Sequence, residues 1–540
     1  MAFFNLKSQR KLPLYLSAAT CVTSNLLPCT TTQVSAGDTS QNLNILFIAT
    51  DDLNDFVGAM GDQQAITPNL DRLAARGVSF NNAHASSIYS APSRTSLMTG
   101  MNPSTTGCYR DQFFYLEDPS IIDLPGWFKN NGYTTSGTGK LYHHMHGCID
   151  LRSWDTYTMW DPSLKKKGWF FNFWGPKSPS PKNRPLSPAT RDMYKDALKR
   201  NPNMKNPLPH MDFGPIPNND EPKMADTIAA QYAIDFLANE QGSKPFFLGV
   251  GFYAPHKPNF VPQKYFDMYP LDSIKEPPVL ENDLEDLPPH IQKRLKRRAN
   301  RENKLITEKY KIKKETIRGY LASVTYVDAQ IGRVLDALDN SQYADSTIIV
   351  LWSDHGYHNG EKGLWAKHTH YERTSHVPFI WAGPGIAQNK TVNTTVSLLD
   401  IYPTLLSLAG LPENSRTEGI DLTDVLIDPS IAKDRPVLQI SDHGTSVITQ
   451  EWRYTRYNDG EEELYHLTTD PDEWYNIANK PANQNIIHKL AQSLPMNPKE
   501  PGVNTPKKLR QVIVGENWHW VSKEVESKRK SKKATKIGTN

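Results

Sequence analysis

The chain has 540 residues, of which 38% are hydrophobic, 22% charged and 10% aromatic, a globular rather than a disordered composition. Its 61 basic and 58 acidic side chains leave a formal charge of +3, too even a balance to mark a nucleic-acid binder. The 40 prolines and 31 glycines exclude an all-helical bundle, and no run approaches the ~20 apolar residues of an integral membrane segment.

In chain order, residues 1–36 read as a signal peptide. Lys7, Arg10 and Lys11 form a positive start, a moderately apolar stretch follows from Leu12, and Val34-Ser35-Ala36 supplies small residues before Gly37. The expected address is outside the cytoplasm, periplasmic or secreted. Loss of this leader removes three positive charges and leaves 58 against 58. Cys21 and Cys29 leave with it. Cys108 and Cys148 remain, able to pair in an oxidising compartment but too few for a disulfide scaffold.

Residues 44–50 are continuously apolar and end in Asp51-Asp52, the pattern of a buried parallel strand with carboxylates at its C-terminal end. Similar strands are predicted at 246–251 and 347–352, the second running into Asp354-His355. Helical patterns cover 68–76, 122–130, 224–239, 317–338 and 398–409. Strands alternating with helices predict an α/β core, a mostly parallel sheet between helices, over residues 37–431. From residue 432 short strands (437–440, 452–457, 463–467) and a helix near 486–493 predict a smaller C-terminal α+β subdomain over 432–520.

Three segments look peripheral. Residues 165–222 are dense in Pro, Asn and Lys and suit a long surface excursion. Residues 293–314 carry eleven basic and two acidic side chains, either a solvated helix or an electrostatic guide for a polyanion. The tail 521–540, with seven basic against two acidic residues, reads as disordered.

Asp51, Asp52, Asp354 and His355 offer three carboxylates and an imidazole from two strand ends, a plausible Ca²⁺ or Mg²⁺ site. Helix capping by the aspartates is the plainer reading. The stretch Ser90-Ala91-Pro92-Ser93-Arg94, running to Thr99-Gly100, reads as a loop entering a helix. Pro92 suits the first turn, and Ser90 near the helix start with Arg94 one turn on suits an anion. An ordinary capped helix has the same look.

That stretch resembles the signature of type I sulfatases, of the alkaline phosphatase superfamily, in which a Cys or Ser becomes formylglycine. The resemblance extends to Thr67-Pro68-Asn69-Leu70-Asp71-Arg72, Gly137-Thr138-Gly139-Lys140, Ser353-Asp354-His355-Gly356 and Leu464-Tyr465-His466-Leu467. Lys140-Leu141-Tyr142-His143, His256-Lys257-Pro258 and Trp365-Ala366-Lys367 are most similar to iduronate-2-sulfatases and bacterial polysaccharide sulfatases. Residues 165–222, and those after His143, depart from the lysosomal members.

The resemblance implies an alkaline-phosphatase-like core and hydrolysis of sulfate esters on a sulfated carbohydrate, such as 2-O-sulfated uronates of glycosaminoglycan, ulvan or carrageenan. It implies one Ca²⁺ per chain, held by Asp51, Asp52, Asp354, His355 and a modified Ser90. A formylglycine-generating maturation enzyme would oxidise Ser90, and a Ser there points to a bacterial source. One hydroxyl of the hydrated aldehyde would attack sulfur and the other would later expel sulfate. Arg94 and Lys140 would hold the formylglycine and the sulfate, and His143 would assist the hydrate. His256 and Lys367 would bind sulfate and help protonate the leaving oxygen. Trp154, Trp365 and Lys367 suggest a cleft whose aromatic faces pack on sugar rings. His368, His370 and His376 are further candidates for that subsite. The alternatives are a phosphoesterase using Ser90 directly and a non-catalytic glycan-binding protein.

Overall fold

A computed structural model of the protein describes residues 43–143, 149–158, 199, 213–240, 242–503, 509–514 and 517–522. The leader, Cys148, most of the 165–222 excursion and the tail beyond Ser522 lie outside the described residues. Cys108 is buried and unpaired with any described cysteine.

Eight strands build the main sheet: β1 (Asn44–Asp51), β2 (Gly77–Phe80), β3 (Thr134–Gly139), β4 (Thr156–Thr158), β5 (Phe246–Pro255), β6 (Thr347–Ser353), β7 (Phe379–Ala382) and β8 (Lys390–Val392). Their spatial order is β8-β2-β7-β6-β1-β5-β3-β4, and every pairing is parallel except the two made by β7. All positions of β1, β5 and β6 are buried, which is why these strands are unbroken apolar runs rather than alternating ones.

Both faces are covered. Leu46 and Ile48 of β1 point into one core with α4 (Ala225–Asn239) and α6 (Lys313–Asp339), which also takes in α1 (Pro68–Ala75). Ile45 and Phe47 point into the other, with α2 (Ser90–Thr99), α3 (Leu124–Asn130) and α7 (Ile401–Leu408). The two-residue side-chain period of a strand sorts neighbours onto opposite faces.

Register places the site. Thr50 pairs with Ser353 across β1 and β6, Asp51 with Pro255 across β1 and β5, and Gly139 with Gly251 across β3 and β5. Four strands therefore end at one edge, and the residues that follow them are Asp52, Asp354, His256 and Lys140. Gly139 is required there. Its φ is +70°, and a Cβ would collide with the Gly251 carbonyl oxygen, which accepts the Lys140 N–H at 2.9 Å.

A second, antiparallel sheet follows: β9 (Val437–Ile440), β10 (Gly444–Ile448), β11 (Trp452–Tyr457) and β12 (Glu462–His466), paired in sequence order. Its Val447, Tyr454 and Leu464 pack on Ile487 and Leu490 of α8 (Gln484–Ala491).

The basic run 293–314 is not one solvated helix. It is divided between α5 (Pro289–Asn303), a wide turn at Lys304–Lys309, and the start of α6. Ile291 and Leu295 on α5 are buried, because an apolar residue every fourth position gives even a highly charged helix a face to pack. A hairpin of Leu509–Val514 and Asn517–Ser522 was not expected, and it reaches into the segment read as tail. Among the described residues, no helix is long and apolar enough to cross a membrane.

Candidate active site

At the shared strand edge, Asp51, Asp52, Asp354 and His355 are all buried, and a ligand atom from each lies within 4.8 Å of the others. Such like-charge crowding in a dry interior is costly without a counter-charge. The donor set, three carboxylates with one imidazole, fits a hard divalent cation. Three basic residues lie against it, Lys367 on Asp52 and two deeper ones on Asp51 and Asp354. Arg94 Nε donates to Asp354 Oδ2 at 2.9 Å and its Nη2 lies 3.5 Å from Asp51, while Lys140 Nζ donates to Asp51 Oδ2.

Asp52 occupies the left-handed region, with φ 66°. A non-glycine residue pays about 1–2 kcal/mol there, and three hydrogen bonds around it fix the conformation. Asp52 N–H donates to Asp354 Oδ1 at 3.1 Å, and the Tyr320 hydroxyl donates to the Asp52 carbonyl at 2.6 Å. The same hydroxyl accepts the Asn54 N–H at 3.1 Å.

Ser90 opens α2 and is completely buried. Its Oγ lies 3.0 Å from His355 Nε2, 3.3 Å from Asp51 Oδ1 and 3.4 Å from Lys367 Nζ. His355 Nδ1 faces the Gly356 carbonyl at 2.9 Å. A proton placed there by that contact leaves Nε2 as the lone pair facing Ser90. Arg94 also donates to the carbonyls of Thr50, Lys140 and Leu141, and its guanidinium lies 5.3 Å from the Trp352 ring centroid. It is bolted in place rather than mobile.

His143, His256 and Lys367 face outward, with side chains 11%, 14% and 12% exposed, against 0–2% for the carboxylates. Lys367 Nζ reaches both Asp52 Oδ1 and Ser90 Oγ. His256 Nε2 is 3.8 Å from Asp52 Oδ2, and its Nδ1 faces the Lys257 carbonyl at 2.6 Å. His143 stands beside Ala91 and Arg94, edge-on to Tyr89, with Nε2 3.9 Å from Asp111 Oδ1.

The charges separate in character. Burial pushes Asp51 up to about 7, against the pull of Lys140 and Arg94, and pushes Lys140 down. Burial would also raise Asp52, but His256, Lys367 and His355 outweigh it and hold it below the usual carboxylate range. Asp354 is likewise held low against its burial, chiefly by Arg94 and His355. Burial lowers His355 to about 4 and drives His143 and His256 well below the ordinary imidazole value. Lys367 stays above its ordinary value because Asp52, Asp51 and Asp354 outweigh desolvation. A metal in the site would invert the Asp51 logic and favour its ionised form.

Ten of the polar residues expected at the site converge on this edge: Asp51, Asp52, Ser90, Arg94, Lys140, Asp354 and His355 in the interior, His143, His256 and Lys367 at the mouth. The aromatic expectation fails. Trp365 is 1% exposed, with Lys257 5.8 Å from its ring centroid. Trp154 is 5% exposed, packed on Phe247 and Tyr157, and its indole N–H donates to Tyr142 at 3.2 Å. Neither ring has a face for a sugar. His370 turns inward to Ser441 at 2.8 Å and His376 to the Asn81 carbonyl at 2.8 Å. His368 is exposed beside Tyr89, ring centroids 5.1 Å apart.

Sequence reasoning passed over Tyr320, which sets Asp52, and Asp226, which accepts the N–H groups of Tyr253 and Ala254 at 2.7 and 2.9 Å just before His256. A tyrosine inside a long helix and an aspartate at the start of another carry no sequence mark of such a role.

The sulfatase family model matches residues 43–411, and the model of the N-sulphoglucosamine sulphohydrolase C-terminal region matches 360–500. The chain is 38% identical over 471 residues to a sulfatase of Formosa agariphila, covering 84% of this chain and 86% of that one. Over 414 residues it is 30% identical to iduronate 2-sulfatase of Homo sapiens, covering 70% and 71%. An ulvan-active sulfatase of Formosa agariphila is 27% identical over 468 residues, covering 84% and 80%. Among solved structures, a 2-O glycosaminoglycan sulfatase matches with TM-score 0.61 and 24% identity over 83% of this chain and 90% of that one, a likeness of fold.

Proposed function

The chain belongs to the sulfatase family and is a sulfuric ester hydrolase, and from that premise we propose that it desulfates a sulfated poly- or oligosaccharide through a formylglycine made from Ser90. The carrying observation is the position of Ser90 Oγ, within 3.4 Å of His355 Nε2, Asp51 Oδ1 and Lys367 Nζ at the start of a helix. A plain serine hydroxyl is a weak nucleophile at neutral pH. The hydrated aldehyde, when present, supplies the attacking oxygen.

The divalent cation, which we take to be Ca²⁺, would be held by Asp51, Asp52, Asp354 and His355, and would neutralise negative charge on the bound sulfate. Around it the chain's own residues divide the work. Arg94, fixed by Asp354 and three carbonyls, keeps the start of α2 and the metal-side carboxylates in register. Lys140 shares Asp51 with Ser90 and orients that carboxylate. Lys367, held protonated by Asp52, faces a sulfate oxygen from the mouth, and preorganised positive charge there stabilises the charge that develops on transfer. His256, on the same side and kept neutral by its burial, is placed to contact the sulfate, the protonated Lys367 is placed to pass a proton to the leaving sugar oxygen, and His143 stands across the opening beside Ala91.

The relatives that act on iduronate and ulvan support a saccharide, with 2-O-sulfated uronate the favoured unit. Export by the leader 1–36, and oxidation of Ser90 by a dedicated maturation enzyme, complete the reading. Exhaustive chelation should abolish turnover and lower Tm, and Ca²⁺ should restore both, because a ligand bound only by the native state stabilises it. Full activity and unchanged Tm after chelation would overturn the metal assignment.

A further inference from the structure

The segment that carries Lys367 is held from two sides. On one, His368 N–H donates to the carbonyl of Ile88 at 3.1 Å, two residues before Ser90. On the other stands α5, whose contacts follow the segment almost residue by residue. Gly363 lies against Ala299 and Asn303, and Leu364 packs with Ile291 and Leu295. Trp365 Nε1 donates to Asn303 Oδ1 at 3.4 Å, and Arg298 Nη1 donates to the carbonyl of Lys367 itself.

Ile291, Leu295, Ala299 and Asn303 recur every fourth residue along one face of α5, and Arg298 flanks that face. Lys293 and Arg297 on α5 are exposed, whereas Arg298, like Arg294 and Lys296, is half-buried. A lysine ammonium sits at the end of four rotatable bonds, so its reach to Asp52 and Ser90 depends on where its backbone is held. Errors of about 1 Å in a reacting group cost roughly 100-fold in rate.

We infer that Arg298 is a positioning residue for Lys367, and that α5 acts as a bracket setting the lysine over Ser90. This rests on the reading that Lys367 meets the substrate's sulfate. The arginine acts through another residue and touches no reacting atom.

The test is a double-mutant cycle of Arg298→Ala and Lys367→Ala, with Arg298→Lys as the conservative variant and Arg297→Ala as the neighbouring control. It is read twice: as kcat/KM on an aryl sulfate, and as Kd for inorganic sulfate by calorimetry in Ca²⁺ buffer. Melting curves confirm that each variant is folded. Lys367→Ala should lower kcat/KM by about 100-fold. Arg298→Ala should lower it roughly 10-fold and weaken sulfate binding, Arg298→Lys should recover most of the loss, and Arg297→Ala should match the parent. On the Lys367→Ala background, Arg298→Ala should change nothing further, since contacting residues that act as a unit are non-additive. Losses that multiply, or an Arg298→Ala variant indistinguishable from Arg297→Ala, would overturn the inference while leaving Lys367 in place. A Lys367→Ala variant with parental turnover and sulfate affinity would remove the reading of Lys367, and Arg298 with it.

Discussion

Two buried charge clusters in this molecule use the same side chains to opposite ends. Where the main sheet meets the second one, Arg453 is completely buried and contacts Glu372, Glu473 at 2.7 Å and Ser375 at 2.8 Å, and Lys362 meets Asp283 at 2.8 Å. There every carboxylate has a basic partner, Arg453 serving both Glu372 and Glu473. At the strand edge, three carboxylates point at one another with a histidine among them, the one such convergence among the described residues. Matching serves the fold, since removing one partner strands the other in a dry interior. Crowding serves chemistry, because it creates a place for a cation and for an anionic substrate. The clusters should therefore fail differently when cut.

The sharpest contrast is between two arginines. Arg94→Ala should cost at least about 100-fold in turnover, the usual loss on removing one preorganised electrostatic group. It should also destabilise, since Asp354 and Asp51 would be left beside an empty space; breaking a buried pair costs about 3–5 kcal/mol. Arg453→Ala should show a similar stability loss by denaturant melt, yet keep kcat per folded molecule. Equal kcat losses in the two variants would erase the distinction.

How much of this was legible in sequence depends on the kind of signal. The apolar run before Asp51-Asp52, and its counterpart before Asp354-His355, expose both the parallel sheet and the edge where its site lies, because buried strands and the carboxylates after them leave an uninterrupted local pattern. Ser90 with Arg94 is equally local. The supporting residues are not: Tyr320 reaches Asp52 across 268 positions, and Arg298 reaches Lys367 across 69. Aromatic residues are ambiguous at the level of composition. Trp154 and Trp365 fill the interior, where indoles are as much at home as on a sugar, and only the packing of β3, β4 and the 363–368 segment decides it. The apolar alternation in residues 509–514 and 517–522 was outweighed by the charge that follows it.

A second way to sharpen the contrast is pH. Burial pushes Glu473 up to about 7 from 4.5, with Arg453 opposing and Glu372 reinforcing the rise. A carboxyl raised in the folded state gives stability that is full below about 4.5 and lost as pH climbs through about 7. Wild-type stability should therefore carry a component of about 1–3 kcal/mol that declines over that window, and Glu473→Gln should lack it. Urea melts from pH 4 to 8 measure the slope, and identical slopes in both proteins would place the titrating group elsewhere.

The smallest effect concerns the outer charges of α5. Lys293 and Arg297 are exposed and distant attraction to a polyanion is screened as the Debye length falls to about 8 Å at physiological salt. Neutralising both should lower kcat/KM for a sulfated oligosaccharide by a few-fold at low salt, and leave a small aryl sulfate unaffected. Salt-independent turnover of both substrates would reduce α5 to its bracket.

The crowded edge is a catalytic site of the proposed kind only if Ser90 is remade. Mass analysis of the Ser90 peptide from active protein should find it lighter by two hydrogens, and the Ser90→Ala protein should be folded and inactive. An unmodified serine throughout a fully active preparation would contradict the formylglycine route and leave Ser90 acting as a hydroxyl.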